Sequence, residues 1–374
     1  MEAAEDTRIP PTAPATPPQV APPVQKPKQS DVARRAGVSA STVSKVVNGG
    51  PGISAEVRDR VLRAMKDVGY AADQARLPAA AAPRRVALIT YYQFLTRDGA
   101  WFHADVLATI LEECERRGLE IETILLNRDG AVDVDRLQAS LETAAADAVL
   151  IVGIDAPEVL RPTRSRGLPG VIVNGVDPEL GYDCVLPAAR EGSRLATRHL
   201  IELGHRDIVH VTHLYRPFIR RRLEGFRDAF EEAGLPFDPE RNVINIPQHG
   251  HFSIEMTADA IERRMRDRRL EATALFCASD YIAFGTIQGI QRAGYSVPDD
   301  VSVISFDDLP LSQLCRPAIT SVGVDRVAIG RLAVERVVGR LQDLDGPTLR
   351  IDVGARLTIR DSTRAFAAAL AEPA

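Results

Sequence analysis

From residue 86 onward, strand-length apolar runs alternate with helix-length amphipathic segments. The runs are VALITYY (86–92), IETILL, AVLIVG, GVIVNG, IVHVT, NVINIP, ATALFCA and VSVISF. Helical patterns separate the later ones, over 189–203, 219–233, about 254–267 and 281–293. Continuous apolar strands of this length suit a sheet covered on both faces, which is the usual condition of parallel strands. Joining parallel strands needs a crossover, most often a helix. The length of this region suits two doubly wound parallel sheets in tandem. Ligands of such sheets bind at the carboxyl ends of the strands, so two facing lobes place a crevice between them.

Charge divides the chain a second way. Residues 26–85 carry 12 Lys and Arg against 5 Asp and Glu, whereas residues 86–374 carry 33 against 43. A small basic module on a large acidic body has the footprint of a nucleic-acid-binding head joined to a domain with another task. Within the head, SDVARRAGVSASTVSKVVNG (30–49) divides into two short helices. The first, from about Ser30 to Ala36, has Val32, Ala33 and Ala36 on one face. Gly37 permits a tight turn and Val38 plugs the interior. Ser39 caps a second helix, its hydroxyl accepting from an otherwise orphaned N–H. Val43, Val46 and Val47 fall at i, i+3 and i+4 and point inward, and Asn48-Gly49 stop the helix. A third helix runs from Ser54 to Val68, with Val57, Val61 and Met65 on one stripe. This is an all-α helix-turn-helix bundle. In that arrangement the second helix enters the major groove, with Ala40, Ser41, Ser44 and Lys45 outward. Small residues permit close approach, Ser bonds bases or phosphates, and Lys reaches guanine or a phosphate.

The loop after the first strand is aromatic. Tyr91, Tyr92, Phe94, Trp101 and Phe102 fall within twelve residues of a chain that is 5% aromatic. Aromatic faces beside polar groups suit flat, hydroxylated ligands, although such rings also pack seams between lobes. Catalytic signatures do not appear. The chain has no G-x-x-x-x-G-K-[ST] phosphate loop and no G-x-S-x-G elbow, and His249-Gly-His251 lacks ligand partners at metal spacing. Asp307 and Asp308 are adjacent at a strand end and should point apart. Cys114, Cys184, Cys277 and Cys315 are widely spread, which suggests neither a disulfide framework nor a zinc site. The opening, MEAAEDTRIPPTAPATPPQVAPPVQ, is acidic and Pro-rich rather than leader-like. It predicts a disordered tail over 1–25 and a cytoplasmic protein.

DVARRAGVSASTVSKVVNG and the following ISAEVRDRVLRAMKDVGY resemble the DNA-binding signature of the lactose/galactose repressor (LacI/GalR) family of transcriptional regulators. IRRRLEGFRDAFEEAGL, CASDYIAFGTIQGIQRAGYSVPDDVSVISFDDLP, RPAITSVGVDRVAIGRLAVERV and the closing RLTIRDST resemble the same family's effector domain. That domain is similar to periplasmic sugar-binding proteins, which are α/β and two-lobed. The resemblance covers nearly all of residues 28–364.

It implies that Ala40, Ser41 and Lys45 face bases, while Ser39, Thr42 and Asn48 position the backbone. It also implies a hinge helix whose leucine wedges into the minor groove. Here the hinge text is AADQARLPAAAAPRR. Ala72 and Asp73 replace the family's Pro and Asn, and the candidate wedge, Leu77, is shifted in register with Pro78 beside it. In the effector domain the resemblance assigns Arg222 and Asp307 to ligand hydroxyls. A guanidinium and a carboxylate each hold two hydroxyls at fixed angles. Ser279 stands where sugar binders often have Asn, Asn174 is a further candidate, and Asp280 is expected to cap a helix. Trp101-Phe102 resemble helix-start aromatics.

The expectation is a ligand-responsive repressor, not an enzyme, needing no cofactor or metal. A homodimer binds double-stranded operator DNA and a sugar or related metabolite, and no membrane is involved. The tail RAFAAALAEPA is too short for a tetramerising heptad coil. The expected divisions are a head over 26–70, a linker over 71–85, and an effector domain over 86–364. Its first lobe takes about 86–187 plus 324–348, its second about 188–323 plus 349–364, and 365–374 is a tail.

Overall fold

The computed structural model describes residues 28–47, 53–68, 84–95, 101–127, 132–214, 216–246, 254–267 and 270–366. The chain forms two separate compact units, one up to Ala81 and one from Ala82 onward. The proposed tail over 1–25 and nearly all of the linker over 71–85 lie outside the described residues.

In the first unit, helices α1 (Gln29–Ala36), α2 (Ala40–Val47) and α3 (Ala55–Asp67) enclose one small core. Val32, Ala33, Ala36, Val43, Val46, Val61 and Ala64 fill it, with Val38, Val47, Ile53, Met65 and Val68 half-buried at its margin; Val57 is half-buried as well. Burying each valine is worth about 1.5–3 kcal/mol, so a core this size leaves little in reserve. The turn between α1 and α2 rests on Gly37, whose φ of 64° favours glycine and whose N–H bonds the Ala33 carbonyl. An ion pair from Arg35 to Asp67, 2.7 Å, ties α1 to α3.

The second unit contains two six-stranded sheets. The first takes β1 (Arg85–Tyr91), β2 (Glu120–Leu126), β3 (Ala148–Val152), β4 (Gly170–Val173), β5 (Asp183–Pro187) and β11 (Arg350–Val353), in the order β11-β5-β4-β3-β1-β2. Helices α4 (Trp101–Arg117), α5 (Val134–Ala144) and α6 (Pro157–Ser165) connect its strands. The second sheet takes β6 (Ile208–Thr212), β7 (Val243–Asn245), β8 (Ala274–Cys277), β9 (Ser302–Asp307), β10 (Thr320–Val324) and β12 (Ala355–Thr358), in the order β12-β10-β9-β8-β6-β7. Its helices are α7 (Ala189–Glu202), α8 (Pro217–Glu232), α9 (Pro239–Asn242), α10 (Ile254–Arg266), α11 (Asp280–Arg292) and α12 (Pro310–Leu314). The long α13 (Arg326–Gln342) returns to pack on α4 and the first sheet.

Each sheet has its own apolar core, one around Ile89, Ile151 and Ile172, the other around Leu275, Ile282 and Val303. The chain crosses between sheets three times, after β5, after β10 and after β11. Two details depart from expectation. Arg350–Val353 pairs parallel with β5, so the last crossing falls at Gly354 and not at 349. β12 runs antiparallel to β10, so the second sheet is mostly rather than wholly parallel. At the end of the described chain, Ala365 and Phe366 belong to the second lobe, because the Phe366 N–H bonds the Leu203 carbonyl at 2.8 Å.

Candidate functional site

On the head, the Ser39 hydroxyl accepts from the Thr42 N–H at 3.1 Å and lies 2.8 Å from the hydroxyls of both Ser41 and Thr42. It is therefore the N-cap of α2, as its position in the sequence suggests. Ala40, Ser41 and Lys45 are exposed, while Thr42 and Ser44 are half-buried. The helix thus presents a small, hydroxyl-bearing surface at its N-terminal half with one cation a turn further on. Asn48 and Leu77 lie outside the described residues.

In the second unit, the candidate residues gather at the carboxyl ends of both sheets. α8 starts with Pro217 at its first position, which presets helical φ. Its contact with α7 is close at Gly225, where a Cβ would lie 1.9 Å from the Arg190 carbonyl. That approach directs Arg222 inward, where it is 3% exposed. Its Nη2 donates to Asp307 Oδ1 at 2.8 Å, and Nη1 donates to the Ala278 carbonyl. The guanidinium lies 3.9 Å above the Phe306 ring centroid. Arg222 Nε is buried and has no hydrogen-bond partner. Burial holds the Asp307 carboxyl above its ordinary range, and Arg222 opposes that rise. Asp308 points away from Asp307, to Arg360 at 2.7 Å and Thr358 at 3.1 Å.

Ser279 takes the capping role expected of Asp280, and Asp280 takes neither expected role. The Ser279 hydroxyl accepts from the Ile282 N–H at 3.4 Å and caps α11. Asp280 is wholly buried and bonds Ser305, Ser321 and the Leu309 N–H instead. A hydroxyl spent on a cap has less capacity for a ligand.

The first lobe supplies an aromatic cluster. Tyr91 meets Phe94 edge-on at 5.5 Å between centroids. Phe94 stacks on His103 at 3.7 Å, and Phe102 meets His103 edge-on at 5.5 Å. Phe94 and Phe102 are buried, Tyr91 and Trp101 half-buried, and Tyr92 is 58% exposed, apart from the cluster. Asn174, with φ of 52°, places Nδ2 2.9 Å from His103 Nε2, while its buried Oδ1 has no partner.

Among the described residues, polar contacts cross between the lobes at Arg216, Arg326 and the Trp101 N–H, beside apolar contact of Phe218 and Ile219 with the first lobe's core, and the sequence motifs mark none of the polar ones. Arg216, just before α8, donates to Asp155 Oδ1 at 3.2 Å and to the Asn174 carbonyl at 2.6 Å. Arg326 donates to Asp105 at 2.7 Å and to the Asp307 carbonyl at 3.0 Å. The Trp101 N–H lies 3.4 Å from the Tyr281 hydroxyl. The only clue to Asp155 and Arg216 was their place, just past the ends of β3 and β6.

Among the described residues, no cluster of His, Cys, Asp and Glu is arranged to share a metal ion, and all four cysteines are free and buried. No described helix is long and apolar enough to cross a membrane.

A helix-turn-helix unit on the same chain as a two-lobed α/β unit defines a DNA-binding transcriptional regulator. Residues 30–73 match the pattern of bacterial regulatory proteins of the lacI family, and residues 197–363 that of the periplasmic binding protein-like domain. The ribose operon repressor of Haemophilus influenzae is 30% identical over 318 residues, covering 84% of this chain and 91% of its own. The transcriptional repressor PurR of Vibrio parahaemolyticus is 28% identical over 339 residues, covering 89% and 98%. A solved complex of the transcriptional regulator CelR with cellobiose is 28% identical, with a TM-score of 0.67 over 90% of this chain and 100% of that one. The lac repressor dimer bound to operator shares the fold, at 21% identity and a TM-score of 0.65 over 91% and 100%. The chain belongs to the lacI family of bacterial regulatory proteins.

Proposed function

We propose that this chain is a cytoplasmic, non-enzymatic repressor that acts as a homodimer and binds operator DNA under control of a sugar or related metabolite. α2 reads the major groove, through Ala40, Ser41, Ser44 and Lys45, with Ser39, Thr42 and Asn48 positioning the backbone. Leu77 is the candidate minor-groove wedge. The effector lies between the lobes against Arg222 and Asp307 on one side and Asn174 and the half-buried aromatics Tyr91 and Trp101 on the other. Phe94 and Phe102 shape that wall from behind. Tyr92 and Ser279 take lesser parts, one lying outside the cluster and the other serving as a cap.

One observation carries the reading. Each lobe holds a buried polar atom without a protein partner, Asn174 Oδ1 in the first and Arg222 Nε in the second. Such groups are costly unless something satisfies them, and a polyhydroxylated ligand supplies both donors and acceptors. The names of two relatives add a class, since one is a ribose operon repressor and one is bound to cellobiose.

The test is calorimetry with D-ribose and cellobiose on the native protein and on Arg222→Ala, beside DNA binding to its own upstream region at fixed salt. The reading expects Arg222→Ala to lose effector affinity at least tenfold and to retain DNA binding. Native effector affinity in Arg222→Ala would show the site to be misassigned.

A further inference from the structure

The turn that ends β9 has two consecutive non-glycine residues in the left-handed region, Asp307 at φ 109° and Asp308 at φ 48°. Residues with a Cβ rarely hold such a conformation unless their surroundings impose it. Asp280 supplies the restraint. It is fully buried beneath the turn. Its Oδ2 accepts from the Leu309 N–H at 2.5 Å. Its Oδ1 accepts from the Ser321 hydroxyl at 2.8 Å and from the Ser305 hydroxyl. The Ser321 hydroxyl in turn accepts from the Asp308 N–H at 3.1 Å. One carboxylate therefore binds both amides that follow Asp307, one directly and one through a hydroxyl. Successive amides of a left-handed turn form a natural cradle for an anion, and here the anion is part of the chain.

The turn faces two ways. The Asp307 side chain meets Arg222, and its carbonyl meets Arg326 from the other lobe. Neither oxygen of Asp280 is free for a ligand. We infer that Asp280 is a positioning residue for the effector site, fixing the direction of the Asp307 carboxylate through the backbone of this turn. The inference rests on the reading of Arg222 and Asp307 as effector contacts.

The test uses the full-length protein at pH 7.5, with D-ribose and cellobiose as probes. Asp280→Ala lowers effector affinity at least tenfold. Asp280→Asn stays within threefold of native, because its amide oxygen can accept from Leu309 and its amide nitrogen can donate to the serine hydroxyls. Packing alone would lower the melting temperature of Asp280→Ala and leave the affinity of the folded protein unchanged, and that result overturns the inference. Ser321→Ala removes the hydroxyl that joins Asp280 to the Asp308 amide and leaves the direct bond from the Leu309 N–H, so it covers an Asp280→Ala that does not fold. In Ser321→Ala the Asp308 amide exchanges hydrogen at least tenfold faster in the protein alone, and unchanged exchange overturns the inference. Arg222→Ala run in parallel separates the failures. If it loses affinity while Asp280→Ala does not, only the positioning role falls. If both bind like the native protein, or the native protein binds neither sugar, the site assignment falls and takes this inference with it.

Discussion

The Arg222–Asp307 pair should couple strongly in a double-mutant cycle. The two side chains are 4% and 9% exposed and 2.8 Å apart, so neither charge is well hydrated. Asp307→Asn suits the cycle because Asn tolerates positive φ and keeps the shape. It leaves the guanidinium without its carboxylate in a buried site, at a cost of about 3 kcal/mol. Arg222→Met keeps contact with the Phe306 face and removes the charge. The stranded carboxyl is already raised by burial and can take a proton, so this change costs less, about 1–3 kcal/mol. With both changes neither member of the pair carries a charge, and the costs should fall short of their sum by about 2 kcal/mol. Trp101 is the single tryptophan of the chain, so its fluorescence during urea unfolding follows the effector unit rather than the head. Midpoints compared at constant slope give the four free energies. A coupling below about 0.5 kcal/mol, the range of independent sites, would refute the claim that this pair is an electrostatic unit.

Two further outcomes follow from named groups. Lys45→Ala should weaken operator binding and make the dependence of log affinity on log salt shallower by about 1, if Lys45 neutralises a phosphate; a native slope would place Lys45 off the backbone. His210 is wholly buried between Phe226 and Phe276, bonds the Phe276 carbonyl at 3.0 Å, and has its pKa pushed down to about 3 by that burial. The folded state keeps it neutral while the unfolded chain protonates below about pH 6.5. Its contribution is therefore present above pH 6.5 and is lost as pH falls toward 3, by about 1.4 kcal/mol per pH unit. His210→Leu should flatten urea midpoints over that window, and an unchanged acid slope would contradict the assignment.

The fold was legible in most strands buried on both faces, although β5 and β10, also buried, were not read as strands. AVLIV and GVIV are fully buried strands and read as unbroken apolar runs. β11 and β12 were not legible, because Arg350–Val353 and Ala355–Thr358 are exposed or half-buried throughout and carry Arg and Asp. An edge strand is specified by its partner as much as by its own residues. The same holds for the site. Arg222 and Asp307 sit in recognisable motifs, and the three valines and Ser39 of α2 follow from helical spacing and capping. Asp155, Arg216 and Arg326 matter because two lobes meet, which no local pattern encodes. Ser279 and Asp280 show the limit most clearly. The helix start was read one residue late, with Asp280 as its cap and Ser279 as a ligand contact, because which side chain caps it depends on Ser305 and Ser321 arriving from other strands.

The account centres on coupling between an effector held by the two-lobed unit and DNA held by the head. Thermodynamic linkage requires that each ligand change the other's affinity by the same factor. The most direct measurement is the affinity for the upstream operator at fixed salt with and without saturating effector, matched by effector affinity with and without operator. The account predicts equal factors in the native protein, and for Arg222→Ala a shift in operator affinity that needs at least tenfold more effector to appear. Sequence-specific operator binding that no effector of the bound class alters, although the effector binds, would contradict it.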